Sequence, residues 1–486
     1  MEKHILSKST FIKGHQCLKA LYLHKKRPFL RDKLSAEQLA KFKRGHEVGE
    51  LAQQLFPGGI DVSPQSPSQY QKSVLRTQEL IDAGQKVIYE ATFQFNKVLV
   101  MLDILVKTEN GWQAYEVKSS RSLSQTYFTD AALQYYVIRN SGLNLASFSL
   151  VYVNENYVLD QEGALNANHY FIIQEVSEQI RSMQTEIAQE IEFELQVLAS
   201  DHSPKIEIGA HCFSPYPCDF QGFCWKGTRN DLSKIPAFTE SERKEMLVQG
   251  VFRMEDLMRR EGLNPLAKKQ LDCLLNNTPF VNLETKTFCS TLPINTLYFS
   301  FVLRQAAIPE CKGFSPYQNQ IIAYSFLSEQ KNEAHLFSGR CGDYKAFVEK
   351  LISPLRFASQ IVVFDLIDLQ ITLSQVAQLF PELTSELEKI MEKASGIKQR
   401  IQQGEFYFPG FTFDLELQDV ARHVSKTSVF SKQAVYSDVL AVKLFEAITK
   451  NNAPLSIDSD EVESLMDYSQ SKADKTRQIC EALSAS

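Results

Sequence analysis

The chain lacks any apolar run approaching the ~20 residues that a membrane-spanning helix needs, which argues against a helical membrane protein. It lacks low-complexity blocks and internal repeats, so repeat architectures and disordered tails are not expected. The opening M-E-K-H-I-L-S-K-S-T has no long apolar stretch of the secretory kind, and the expected compartment is the cytoplasm. Excess positive charge is missing too. Lys and Arg number 52 against 58 Asp and Glu, a net −6, which argues against a protein that coats nucleic acid along its whole surface. Nine cysteines are present, yet no Cys-x2-Cys pair of the zinc-knuckle kind occurs.

What is there is ordinary for a globular chain: 486 residues, 44% hydrophobic and 23% charged, enough for two or three domains. The charge is uneven. Residues 1–50 hold twelve Lys and Arg against five Asp and Glu, compatible with a phosphate-facing surface or with amphipathic helices.

The most informative stretch runs from Val98 to Ser120. Two β-rich segments, V-L-V-M-L-D-I-L-V-K and W-Q-A-Y-E-V-K-S-S, flank Glu109-Asn110-Gly111, a strong hairpin signal. The first segment is nearly all apolar, as a strand buried on both faces would be, yet carries Asp103 at its middle. A buried carboxylate costs several kcal/mol unless paired or bound to a metal. Glu116 and Lys118, two apart on the second strand, share one face and can meet Asp103 across the hairpin. Glu-x-Lys alone is a common solvated pattern; the intrusion of Asp103 into an apolar run is what singles this one out. Two carboxylates and a lysine suit divalent-metal phosphodiester hydrolysis. Hard oxygens hold Mg²⁺ or Mn²⁺, the metal activates water, and the ammonium orients it or offsets charge.

Around this hairpin the chain reads as α/β. Residues 9–56 are expected to form helices, the first from a Ser9-Thr10 cap to Arg27-Pro28 and the second ending before Pro57-Gly58-Gly59, with His46 inside it. Tyr70–Ala83 reads as a helix and V-I-Y-E-A-T-F-Q-F as a strand carrying Glu90. Residues 127–141 read as a helix offering Gln134 with Tyr135 or Tyr136 to the sheet; a strand, A-S-F-S-L-V-Y-V, and a long helix over Ile173–Ala199 are expected next. Residues 231–280 are charged and helical, and from about Asn282 a second α/β region begins.

Cys212, Cys218 and Cys224 share one loop at Cys-x5-Cys-x5-Cys spacing, and distant Cys17 is the best fourth thiolate. Four thiolates suit an iron–sulfur cluster or tetrahedral zinc, with His211 able to replace a cysteine in the zinc case; the wide spacing favours the larger cluster. Cys273, Cys289, Cys311, Cys341 and Cys480 read as core residues, and no disulfide framework is expected.

Taken in order, Cys17, His46, Glu90, Asp103, Glu116-x-Lys118, Gln134 and the three late cysteines resemble the RecB-like, CRISPR-associated iron–sulfur exonuclease family of PD-(D/E)xK nucleases. The resemblance covers roughly residues 5–230. It implies that His46, Asp103 and Glu116, with the carbonyl of Val117, hold Mg²⁺ or Mn²⁺, with Glu90 as an additional acid. It further implies that Lys118 is catalytic, that Gln134 with Tyr135 or Tyr136 positions DNA, and that Cys17, Cys212, Cys218 and Cys224 hold a [4Fe-4S] cluster stapling the N-terminal helix to the late loop. Closing so long a loop is an entropically sensible role for a cluster.

The whole chain also resembles a bacterial two-domain family that adds an RNase H-like, DEDD-type exonuclease domain. Where that domain carries an acidic strand motif, Tyr298-Phe299-Ser300 stands here, and where a late acidic signature belongs, Tyr468-Ser469-Gln470-Ser471-Lys472 stands. The second domain is therefore expected to be inactive. The expected organisation is a PD-(D/E)xK nuclease domain with an iron–sulfur staple over residues 1–230, a helical connector over 231–284 and an RNase H-like domain over 285–486. The expected function is a metal-dependent DNA nuclease, an exonuclease preferring single strands, with any protein partner engaging the second domain. The alternative is a non-catalytic nucleic-acid-binding or assembly subunit built on nuclease folds.

Overall fold

The computed structural model describes residues 4–228, 230–426, 435–450 and 459–485. The chain divides into two units, Met1–Thr228 with Ala307–Pro309, and Arg229–Ala306 with Glu310–Ser486. Both are mixed α/β. Residues 231–284 belong to the second unit. Among the described residues, no helix is long and apolar enough to cross a membrane.

The first unit runs β1 (Leu6–Ser7), α1 (Lys8–Gln16), α2 (Leu18–Lys26), α3 (Ala36–Ala52), β2 (Ile60–Asp61), α4 (Tyr70–Asp82), β3 (Val87–Phe95), β4 (Val98–Thr108), β5 (Gly111–Lys118), α5 (Gln125–Asn140), β6 (Leu145–Val153), α6 (Ala167–Tyr170), β7 (Phe171–Glu175), α7 (Ser177–Ser182), α8 (Gln184–Ala199) and α9 (Gln221–Cys224). Its sheet has the order β2-β3-β4-β5-β6-β7. Strands β3, β4 and β5 are antiparallel neighbours, and β6 returns parallel to β5 after the crossover helix α5. Gly111 closes the β4–β5 hairpin at φ +123°, a conformation that favours glycine. The apolar residues of β4 alternate into both faces, so Val98, Val100, Leu102, Ile104 and Leu105 are all buried, and several join Leu133, Val137 and Ile138 of α5 in one core. At roughly 1.5–3 kcal/mol per fully buried large apolar side chain, that core is what fixes β4 in register.

Two expected elements differ. The first helix is broken at Cys17, whose φ −165° and ψ 114° are extended, so α1 and α2 are separate. The helix expected from Ile173 starts later. Ile173 lies in β7, paired antiparallel with β6 opposite Val151, and helices follow only from Ser177. Edge pairing decided those five residues, and no helical period competes over so short a run.

The second unit begins with α10 (Glu240–Val248), α11 (Met254–Arg259), α12 (Pro265–Asn276), β8 (Phe280–Val281) and α13 (Leu283–Ser290). Then come β9 (Thr296–Arg304), β10 (Gln320–Leu327), β11 (Asn332–Leu336), α14 (Tyr344–Phe357), β12 (Gln360–Val363), α15 (Leu366–Leu379), α16 (Thr384–Glu392), β13 (Ala394–Gly396), α17 (Ile397–Gln402), β14 (Phe406–Tyr407), α18 (Leu417–Val424), α19 (Asp438–Thr449) and α20 (Asp460–Ala485). Its main sheet has the order β11-β10-β9-β12-β13, antiparallel from β11 to β9 and parallel from β9 to β13. Cys289 and Cys480 are buried as expected, whereas Cys311 and Cys341 form a disulfide across a separation of 30 residues. The reading of that pair as independent core thiols is corrected: Cys341 opens a partly exposed turn that comes beside Cys311, and sequence spacing carries no sign of it.

Candidate functional site

Strand β4 has β3 along one edge and is shared on the other, where β5 pairs with Ile104–Thr108 and β1 with Val98 and Leu99. The sheet forks between them, and Asp103 stands at the fork. Continuing the two ladders sets Glu90 of β3 opposite Asp103 on one side and Glu116 of β5 opposite it on the other, though neither ladder makes a bridge there. Directly opposed residues share a face, so three carboxylates occupy one rung. Where the β4–β5 ladder stops, the Val117 N–H donates instead to Asp103 Oδ2, 2.6 Å away. Glu90 carries φ +54° in mid-strand, a strained conformation for a non-glycine residue.

Two ammonium groups meet this rung. Lys118 Nζ donates to Glu116 Oε1 at 2.9 Å and to Asp130 Oδ2 of α5 at 2.5 Å. Lys8 Nζ, at the start of α1, donates to the same Glu116 Oε1 at 2.6 Å. Glu116 is 2% exposed. Burial alone would raise its carboxyl, but Lys118 and Lys8 overcome that and hold it well below the usual range. Burial would lower Lys118, and Asp130 with Glu116 reverses the sign and raises it. Lys8 is likewise raised against its burial, by Glu116, Asp130 and Asp103. Asp103 goes the other way, pushed well up by burial and by Glu116, and Glu90 is pushed up chiefly by burial. Four carboxylates thus face two ammonium groups; Glu116 is held as the anion, while the charged forms of Asp103 and Glu90 are disfavoured.

Such a rung fits a hard divalent cation in donor chemistry. Glu116 Oε2 is buried without a hydrogen-bond partner, as are Asp130 Oδ1 and both amide atoms of fully buried Gln134. In spacing the acids are not drawn in: among the described residues, no group of three or more His, Cys, Asp or Glu stands ready to hold a metal ion. His46 is on α3 with its side chain 77% exposed and its Nε2 3.2 Å from Glu50 Oε1, within electrostatic reach of Glu90. Tyr135 is buried in the core with its hydroxyl accepting from Arg181 Nε, and Tyr136 packs edge-on against Phe95. The aromatic ring that does meet Lys118 is Tyr127, with Nζ 5.2 Å from its centroid.

The cysteine loop comes to the same neighbourhood. Cys17, Cys212, Cys218 and Cys224 line one cavity, together with His211 and Phe220. Among the described residues they do not form a group of three or more ready to hold a metal ion. Burial raises the Cys17 and Cys224 thiols and pushes Cys218 up to about 11, so binding any metal there would release protons. The loop is also tied down without a metal. Gln16 Nε2 donates to the His211 and Tyr216 carbonyls at 2.7 and 2.6 Å, and Lys13 and Arg31 both pair with Asp219. Tyr216 of this loop hydrogen-bonds Tyr127, within electrostatic reach of Lys118 and Asp130, and Lys41 lies over its ring.

No protein-family model matches this chain, and no curated protein matches it.

Sequence reasoning missed Lys8, Asp130, Tyr127 and Tyr216. Asp130 had a usable signal, since it stands four residues before Gln134 on the same face of α5. Lys8 had none, because 108 residues separate it from Glu116.

In the second unit, Ser300 of β9 and Ser469 of α20 do meet. Ser300 Oγ donates to the Ser469 carbonyl at 2.6 Å and contacts Ser325 Oγ at 2.8 Å. Lys472 Nζ reaches Asp438 Oδ1 at 2.8 Å and the Phe301 carbonyl at 2.9 Å.

Proposed function

We propose that the first unit is a metal-dependent DNA nuclease of the RecB-like PD-(D/E)xK type, an exonuclease preferring single strands. The observation that carries this reading is the Glu90–Asp103–Glu116 rung with Lys118 held against it by Asp130. Mg²⁺ or Mn²⁺ bound there would polarise the phosphate and lower the pKa of a bound water. The residues supply the rest. Asp103, Glu116 and Glu90 offer hard oxygens, Lys118 presents a proton-bearing ammonium beside them, and Asp130 fixes that ammonium in place. Gln134, one turn along α5 from Asp130, is buried with its amide unengaged.

In the same reading the four-cysteine cavity holds a [4Fe-4S] cluster, and iron with acid-labile sulfide in anaerobic protein is expected; stoichiometric zinc without iron would refute the cluster. The second unit is read as an RNase H-like domain without catalysis, because hydroxyls and an ammonium stand where metal-binding acids would be needed. That same observation favours the second reading, a nucleic-acid-binding or assembly role, for the second unit. A cytoplasmic location belongs to this proposal, and the Cys311–Cys341 disulfide is the one feature that runs against it.

The test is digestion of end-labelled single- and double-stranded DNA with Mn²⁺ or Mg²⁺, beside Lys118→Ala. Metal-dependent shortening that is lost in the variant supports the reading. Equal rates for variant and wild type, or no cleavage by wild type across termini and lengths, would overturn it.

A further inference from the structure

Glu116 Oε1 accepts from two ammonium groups at once, while Oε2 of the same carboxylate is buried with no partner. The two lysines are held differently. Lys118 is anchored on both sides, by Glu116 and Asp130, and its side chain is 14% exposed. Lys8 has its Nζ on Glu116 alone, and its side chain is 30% exposed. An ammonium carries three donors, and the contact with Glu116 Oε1 uses one of them. Lys8 is also set by a separate element. Strand β1 pairs with Val98 and Leu99 on the other arm of the fork, along the same edge of β4 that β5 takes further on, and α1 begins at once, so Lys8 is positioned independently of β5. Lys118 is thus built to stay, and Lys8 is the cation that can be exchanged.

We infer that Lys8 is a phosphate-contacting residue of this site, whose ammonium exchanges Glu116 Oε1 for a non-bridging oxygen of an arriving nucleic-acid phosphate. The exchange makes and breaks only ionic hydrogen bonds. It leaves Glu116 Oε1 with Lys118 as its one remaining ammonium donor and Oε2 open to a cation, while the second positive charge passes to the substrate. This rests on the nuclease reading and adds to it the group that admits the polyanion.

A merely structural Lys8, present to neutralise Glu116, makes a different forecast, and Lys8→Met separates the two. The full-length chain is titrated with Mn²⁺ alone, and separately with a fluorescent single-stranded oligonucleotide in Ca²⁺ over a range of salt. The two affinities are expected to part company. Mn²⁺ binds K8M as tightly as wild type or several-fold tighter, because a competing ammonium is gone. The oligonucleotide binds about tenfold more weakly, and the slope of log K against log salt falls by about 0.7, one phosphate contact on a single strand. K8R keeps the wild-type slope, and K8Q, measured alongside in case K8M folds poorly, shows the same two shifts as K8M. Unchanged oligonucleotide affinity and slope in folded K8M or K8Q overturns the inference, as does a parallel loss of Mn²⁺ and oligonucleotide binding. Wild-type protein that binds no oligonucleotide overturns the nuclease reading and this inference together, whereas wild-type binding matched by K8M overturns this inference alone.

Discussion

The carboxylate rung of the first unit and the serine cluster of the second are both polar groups inside a sheet, yet they are finished differently. Ser300, Ser325 and Ser469 satisfy one another and the Ser469 carbonyl, and Lys472 is matched by Asp438. The rung keeps a strained Glu90 and an orphaned Glu116 oxygen, and Asp130, which pairs with Lys118, keeps an orphaned oxygen as well. Buried polar groups left unsatisfied cost about 1–3 kcal/mol each, so a fold retains them where something else is served. A closed network points to architecture, and an open one to a site that completes itself on binding.

The sharpest way to break this comparison is to disable each centre. Asp103→Ala is expected to lower metal-dependent DNA cleavage by at least about a hundredfold, the scale of losing one reaction-centre group, while Ser300→Ala leaves the cleavage rate unchanged in the same assay. Loss of cleavage in S300A would show that the second centre also contributes.

Glu116→Gln comes next. It leaves the Lys8 and Lys118 ammonium groups facing a neutral amide, and a destabilisation of about 3 kcal/mol is expected in urea unfolding at pH 7. The Glu116 carboxyl is depressed in the fold, so its contribution is present above its unfolded pKa of about 4.3 and fades as pH falls toward the folded value. The gap between E116Q and wild type should therefore narrow below pH ~4.

Glu194 gives a smaller, opposite slope. It is fully buried on α8 with both oxygens unpartnered, and burial with nearby Glu190 pushes it up to about 10. The folded chain keeps a proton that the unfolded chain sheds above pH ~4.3, so this residue lowers stability as pH rises through neutrality. Glu194→Gln should remove about 2–3 kcal/mol of stability loss between pH 5 and pH 7, read from urea midpoints at the two pH values. The smallest effect belongs to the closed network: Ser300→Ala should cost about 1–2 kcal/mol with no change in pH slope, since no charge is involved.

Much of the first unit was legible. The β4–β5 hairpin follows from Asn110-Gly111 between β-rich runs, and Asp103, Glu116 and Lys118 stood out because charge interrupts an apolar pattern. The four cysteines grouped from the sequence line one cavity. What escaped was set by contacts between distant segments. Nothing near Lys8 announces Glu116, nothing near Tyr216 announces Tyr127, and Cys311 gives no hint of Cys341. The break at Cys17 was hidden for a related reason: the local sequence is helical throughout, and the residue turns out of the helix toward a loop far down the chain. In the second unit, neither the contact of Ser300 with Ser469 nor the lock of Lys472 on Asp438 was legible, since both join segments far apart in the chain.

Helix α1 begins with Lys8 and is followed at once by Cys17. Nine residues of α-helix measure about 13 Å and behave as a stiff strut over that length. The ammonium and the thiol are therefore mounted on the two ends of one beam. On the proposed reading, whatever seats or unseats the thiol end tilts the ammonium end with it, and the sulfur-lined cavity would then set the aim of the charge inferred to meet a phosphate.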